Sequence, residues 1–281
     1  WFSPRVGLPA MAGVRYELER RRLDLELTHG SNCARIDASC GGRLASLCID
    51  GEEVLVTEGS GDTEWGCYPM VPWAGRVRDG RFHWAGSDHQ LPINLPPHAL
   101  HGTVFGSTWE VTGPDSMRCR LGSDWPWPGE VRSVFALGAD SFTWRLEVHA
   151  DADAFPVVVG WHPWFRRSVA GRGPVRFDFD PAEMHVRDAA GIPTGERVAP
   201  TPGPWDDCFS KLRSNPRLTW PGGLTVELTS SCEHWVIYDQ PSHAVCVEPQ
   251  SGPPDAFNLG GAEVARPGEP VVHTMRLRWW R

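Results

Sequence analysis

Apolar and polar residues alternate along much of the chain. Leu23, Leu25 and Leu27 are separated by Asp24 and Glu26; Phe142, Trp144, Leu146 and Val148 alternate through Ser141 to His149; Leu224, Val226 and Leu228 do the same, as do Met275, Leu277 and Trp279. A period of two is that of a half-buried β-strand, with one face on a core and the other on solvent. No apolar 3.6-residue period persists over the length of a helix, and 30 Gly and 26 Pro punctuate the chain at short intervals. The pattern predicts an all-β protein, a sandwich or barrel, with ligand bound on a concave sheet face or across loop ends.

Smaller elements follow from the same reading. Ser39 to Gly51 reads as turn, strand, turn, and Gly191 to Pro204 as a long surface loop, too short to divide domains. With no internal repeat or low-complexity linker, the 281 residues are expected to form one domain, 1–281. Two apolar runs, Val157 to Val159 and Ala244 to Val247, each lead to a titratable residue followed by proline: His162-Pro163 and Glu248-Pro249. Because proline cannot donate to a ladder, each run reads as a strand that presents an acid or base at its end.

Composition narrows the function classes. The chain carries 27 Lys+Arg against 35 Asp+Glu, a formal charge of -8, which argues against a nucleic-acid partner. Its one basic block, Arg20-Arg21-Arg22, runs into the Leu23–Leu27 alternation and reads as the exposed edge of a strand. The eight cysteines show neither a C-x-x-C pair nor a Cys/His spacing for zinc, so no metal site is expected. They read as reduced, with Cys48 and Cys246 in apolar runs acting as small buried hydrophobes. No apolar run approaches a membrane span and no signal peptide is recognisable, so the expectation is a soluble, cytoplasmic protein with no membrane partner. The sequence begins at Trp1, which leaves a trimmed N-terminus open.

Five polar residues stand out. Pro249, Gly252, Pro253 and Pro254 would stiffen the chain after Glu248 and fix its carboxylate, as a general base requires; an arginine-paired carboxylate in a turn is the structural alternative. His162 lies between Trp161 and Trp164, and a buried histidine there needs hydrogen-bond partners. Arg76 follows a Pro-rich apolar stretch and precedes Asp79-Gly80, read as a hairpin turn. His101 is followed by Gly102, which permits close approach, while His98 competes for any role given to it. Asp206 and Asp207 are adjacent, and the sequence does not choose between them. Two runs that each deliver an acid/base group before a proline are hard to explain by core packing alone.

The segment Glu248-Pro249-Gln250-Ser251-Gly252-Pro253-Pro254-Asp255-Ala256-Phe257-Asn258 resembles the Glu-Pro-x-x-Gly-x-Pro-x-Ala-Phe-Asn motif of the aldose 1-epimerase (galactose mutarotase) family. Leu100-His101-Gly102, His162-Pro163-Trp164-Phe165, the Arg76 segment and Trp205-Asp206-Asp207-Cys208-Phe209 resemble further family motifs in the family's order. The resemblance implies a large antiparallel β-sandwich of the galactose mutarotase type that interconverts the α and β anomers of a free aldose. It implies Glu248 as catalytic base, His162 as acid, and Arg76, His101 and Asp206 as ligands of sugar hydroxyls. Trp73 or Trp164 would stack on the sugar face. No metal or organic cofactor is implied; the partner is a small-molecule sugar and the protein a monomer or homodimer. The sequence departs from the family at Gly75, where asparagine is usual, and at Trp164, where tyrosine is usual. Two other readings remain: a hexose-6-phosphate 1-epimerase, with Arg166 and Arg167 or Arg78 and Arg81 clamping phosphate, and a non-catalytic carbohydrate-binding protein.

Overall fold

The computed structural model describes residues 24–281; the Arg20–Arg22 block and Leu23 lie outside the described residues. Among the described residues, strands pair antiparallel in one large branched sheet and three two-stranded ones. One layer is a run of neighbours: Leu25–His29, Asn32–Asp37, Arg43–Ile49, Cys67–Met70, Gly160–Arg166, Ala244–Gln250, His234–Tyr238 and the start of Asp206–Thr219. The other runs Glu110–Gly113, Ser116–Arg120, Gly129–Leu137, Ser141–Ala150, Val271–Trp280, Thr225–Ser230 and the far end of Asp206–Thr219. The 14-residue strand Asp206–Thr219 thus belongs to both layers and joins them.

Alternation in sequence becomes burial in space. Phe142, Trp144, Leu146 and Val148 point from Ser141–Ala150 into the interior and are wholly buried. There Trp144 meets Trp161 of the facing layer edge-on, at 6.4 Å between ring centroids. Burying such a set removes several hundred Å² of apolar surface from water, the main stabilising contribution, at roughly 25 cal/mol per Å².

Three local expectations are overturned. Part of the Gly191–Pro204 stretch is a six-residue strand, Pro193–Val198, paired among the described residues only with Arg176–Arg187. It is mostly exposed and held by its ladder rather than by apolar burial, so composition carried no sign of it. Asp79-Gly80 does not close a hairpin. Arg78–Gly80 is a single 3-10 turn with Asp79 at φ 52°, while Arg76–Val77 pairs with Ala99–Leu100 and Arg81–Trp84 with Ser87–Gln90. Finally, His162 and Glu248 lie within their strands, which continue through the prolines as Gly160–Arg166 and Ala244–Gln250. The reason lies in the ladder between them. It pairs Gly160 with Gln250 and Trp164 with Cys246 but has no bridge in between, and Pro163 and Pro249, which lack an N–H, sit in that gap. Each proline-bearing strand keeps its other neighbour, Cys67–Met70 on one side and His234–Tyr238 on the other.

Candidate active site

Carrying the register of these two strands through the gap sets His162 opposite Glu248. Their side chains meet there, His162 Nε2 at 3.2 Å from Glu248 Oε1, and both residues are at least 95% buried. Cross-strand neighbours on the same sheet face extend the row. Tyr68 is opposite His162 on one side, Val236 is opposite Glu248 on the other, and Asp206 is paired with Tyr238. These residues floor a cavity of about 300 Å³, walled by Gly75, Arg76, Leu100, His101 and Pro254.

The wall is held against the floor by the segment that follows Glu248. The Asp255 N–H donates to the Arg76 carbonyl (2.7 Å), and Asp255 Oδ1 accepts the Arg78 N–H (3.0 Å). Asn258 Nδ2 donates to the same carboxylate (2.7 Å) and to the Arg81 carbonyl (2.9 Å). The Pro-Pro-Asp-Ala-Phe-Asn run therefore clamps the Arg76 loop beside Glu248, beyond stiffening its own turn. Gly75 fits the same contact: at φ +68°, a Cβ on it would stand 2.7 Å from the Pro254 ring. Glycine here, where the family usually has asparagine, follows from that contact.

His101 is fixed twice to Gly75. Its N–H donates to the Gly75 carbonyl (3.0 Å), and its Nδ1 accepts the Gly75 N–H (3.2 Å). Nδ1 as acceptor makes Nε2 the protonated nitrogen, so a neutral His101 still offers a donor. Burial holds it neutral by pushing its pKa well below the usual histidine value, with His162 adding to the effect. The residue pays in backbone strain, with φ at +60°, and Gly102 next to it is obligatory, since a Cβ would lie 2.0 Å from the Val71 carbonyl oxygen.

The electrostatics of the pair follow from desolvation. Burial pushes the Glu248 carboxyl well above the usual range, and nearby Asp206 pushes it further. Burial lowers His162 to about 3. Both effects favour a neutral pair, with one proton shared between two sites 3.2 Å apart and resting on Glu248. The imidazole stacks on Tyr68 (4.8 Å between centroids) and on Trp164 (5.4 Å), whose π faces would stabilise a positive charge when one forms. Gln250 Nε2 lies 3.4 Å from Glu248 Oε2, and Gln250 Oε1 and His162 Nδ1 are buried without a hydrogen-bond partner among the described residues.

Of the residues expected at the site, Glu248, His162, Arg76, His101, Asp206 and Trp164 all line this one cavity. Trp73 does not. It is a core residue, tilted against Trp125 at 5.9 Å, and its expected place on a sugar face is overturned. Between the two aspartates, Asp206 lines the cavity, with Arg187 Nη1 at 3.3 Å and Arg76 Nη2 at 3.8 Å, whereas Asp207 does not line it and is held by Arg187 Nε at 2.7 Å. His98 is turned away, its Nδ1 accepting the Asp79 N–H at 3.2 Å. The arginines considered for a phosphate clamp are committed elsewhere. Arg78 pairs with Asp188, Arg81 with Gln90, Arg166 with the Leu55 carbonyl and Thr57, and Arg167 with the Pro241 and Asp239 carbonyls.

Sequence reasoning missed Tyr68, Tyr238 and Gln250. Gln250 carried a usable signal, since two residues beyond Glu248 on one strand means the same face. His162, Glu248 and Cys246 are the one group among the described residues whose donor atoms could close on a metal ion.

Comparison with known proteins gives the family and the fold. Residues 24–278 match the family described as aldose 1-epimerase. The uncharacterized protein YphB of Escherichia coli (strain K12) is 28% identical over 249 residues, 77% of this chain and 84% of its own. The galactose mutarotase of Mus musculus is 28% identical over 137 residues, 46% of this chain and 39% of the mouse protein. In fold, the crystal structure of a galactose mutarotase-like protein from Clostridium acetobutylicum superimposes with a TM-score of 0.79 at 17% identity, covering 91% of this chain and 94% of that one.

Proposed function

The chain belongs to the aldose 1-epimerase family, and from that premise we propose that it is a mutarotase, interconverting the anomers of a free, unphosphorylated aldose in a single cytoplasmic domain without a cofactor. The observation that carries the reading is the His162–Glu248 contact at 3.2 Å on the floor of a cavity walled by Arg76, His101 and Asp206. Opening a hemiacetal needs one group to take the C1 hydroxyl proton while another gives a proton to the ring oxygen. Glu248 takes and His162 gives. After rotation about C1–C2 each returns its proton as the ring closes on the other face, so the pair ends as it began.

The reactive arrangement has the shared proton on His162, one transfer away from the neutral resting pair. Arg76 favours the Glu248 carboxylate in that form, and Tyr68 and Trp164 favour the imidazolium. Arg76, His101 and Asp206 hold the hydroxyls so that the opened sugar stays within reach of both groups, which is where orientation contributes rate. A phosphorylated sugar fits less well. Among the described residues Arg76 is the only Lys or Arg lining the cavity and already faces Asp206, and Glu64, which also lines it, would repel a phosphate. A reducing compartment suits the buried free thiols of Cys67, Cys208 and Cys246.

Polarimetry on freshly dissolved α-D-galactose and α-D-glucose is the direct assay. Acceleration by the purified protein that is lost in Glu248→Gln and in His162→Asn is the expected result. Turnover of glucose 6-phosphate with none on the free sugars would reverse the choice of substrate, and sugar binding without turnover of any sugar would leave a binding protein.

A further inference from the structure

Cys246 shares its strand and its face with Glu248, two residues away, and is wholly buried. Its Sγ, a His162 ring nitrogen and a Glu248 carboxylate oxygen all lie within 4.8 Å of one another. We propose that these three side chains form a capture site for a soft divalent cation of the zinc type, which blocks the cavity by tying up the acid/base pair. The blocking, though not the binding, rests on the mutarotase reading above.

The donor set is the first argument. One imidazole nitrogen, one thiolate and one carboxylate oxygen are ligands zinc accepts together, and three protein ligands leave a fourth position open toward the cavity for water or a sugar hydroxyl. Geometry is the second. Two ligands each about 2.0–2.1 Å from a tetrahedral zinc stand about 3.3 Å apart, and the His162–Glu248 contact is already 3.2 Å. The thiolate needs only to close in by about 1 Å to meet a Zn–S distance of ~2.3 Å.

Charge is the third. A thiolate and a carboxylate together offset the two charges of the dication, so the buried site gains no uncompensated charge, which is the usual obstacle to placing an ion there. Gln250 Nε2, 3.4 Å from the second Glu248 oxygen, supplies the outer contact that keeps a ligating carboxylate oriented. Access is provided by the cavity itself, which His162 and Glu248 line.

Cobalt(II) is the probe, because its absorption reports thiolate ligation directly and does not depend on any activity. The purified full chain is expected to take up one Co²⁺ with a thiolate-to-metal charge-transfer band in the near ultraviolet, bleached when Zn²⁺ displaces it. Cys246→Ser should lose the band and, by calorimetry, bind Zn²⁺ at least about tenfold more weakly. Cys246→Ala is the second variant should serine disturb the strand, and His162→Asn, which keeps the thiol, should lose the tight site as well. Zn²⁺ should suppress mutarotation by the wild-type protein, and a chelator should restore it. A missing band, or one that survives in both Cys246 variants, overturns the site. A band in a protein that turns over no sugar upholds the site while the mutarotase reading falls, and mutarotation without a band does the reverse.

Discussion

Replacing Glu248 by glutamine should change how stability depends on pH, in a way that isolates the buried proton. In the unfolded chain the carboxyl and the imidazole titrate near 4.5 and 6.5; folding raises the first well above its value and lowers the second to about 3. Between 4.5 and 6.5 the pair therefore holds one proton in either state, on His162 when unfolded and on Glu248 when folded, and contributes no slope. Above that window the unfolded pair holds none and the folded pair still holds one. Stability then falls by about 1.4 kcal/mol for each pH unit over which the folded carboxyl keeps its proton. Below the window the unfolded pair holds two protons and the folded pair one, so stability falls at the same rate toward about pH 3, where His162 charges. Glutamine is close to isosteric with the protonated acid and removes the carboxyl's titration while leaving the imidazole's, so the variant's stability rises from about pH 3 to 6.5 and is level above. Relative to the wild type, the variant should gain about 1.4 kcal/mol per unit from the unfolded carboxyl value upward. Both groups are at least 95% buried, so solvent screening takes little from this figure. Urea unfolding followed by tryptophan fluorescence at about pH 5, 6, 7 and 8 measures the difference, while turnover in the same variant falls by about 10²–10⁴ as a positioned base is lost. Parallel stability curves for the two proteins would refute the neutral buried pair.

Gly75→Ala puts a methyl 2.7 Å from the Pro254 ring in a left-handed residue. It should cost about 2–4 kcal/mol of stability in urea melts and raise KM, because Gly75 positions His101; an unchanged midpoint and KM would remove the clamp from the account. The two tryptophans should separate. Trp73→Phe should lower the unfolding midpoint with KM unchanged, and Trp164→Phe should raise KM with little effect on the midpoint. Steady-state polarimetry beside thermal unfolding reads both, and the opposite pattern would return Trp73 to the cavity.

Strands with one buried face were legible because burial itself imposes the period; the Phe142–Val148 alternation predicts Ser141–Ala150 nearly to its ends. The long run of motif residues was legible too, and its members do gather at one cavity. What failed was local. Proline was read as a strand end, yet each backbone N–H faces only one neighbouring strand, so losing one leaves pairing on the other side intact, as with Pro249 and Trp235. Trp73 was misplaced because it stands in a loop, where no period says which way a ring points. Tyr238 could not be found, because it reaches the site through its pairing with Asp206, 32 residues away, and register is written in pairing rather than in either strand alone. The exposed strand Pro193–Val198 has no apolar face to announce it.

The unbridged stretch between Gly160–Arg166 and Ala244–Gln250 has a mechanical meaning. On the proposed mechanism, moving a proton between His162 and Glu248 and admitting a sugar above them would alter their separation slightly. In a continuous ladder, every such change would stretch backbone hydrogen bonds. Here Pro163 and Pro249 have removed those bonds in advance, and each strand is anchored from its outer side, through Tyr68 and through Val236. The two halves of the sheet meet at an expansion joint: stiff in the direction that aims the side chains, and slack in the one direction along which the proposed proton transfer would move them.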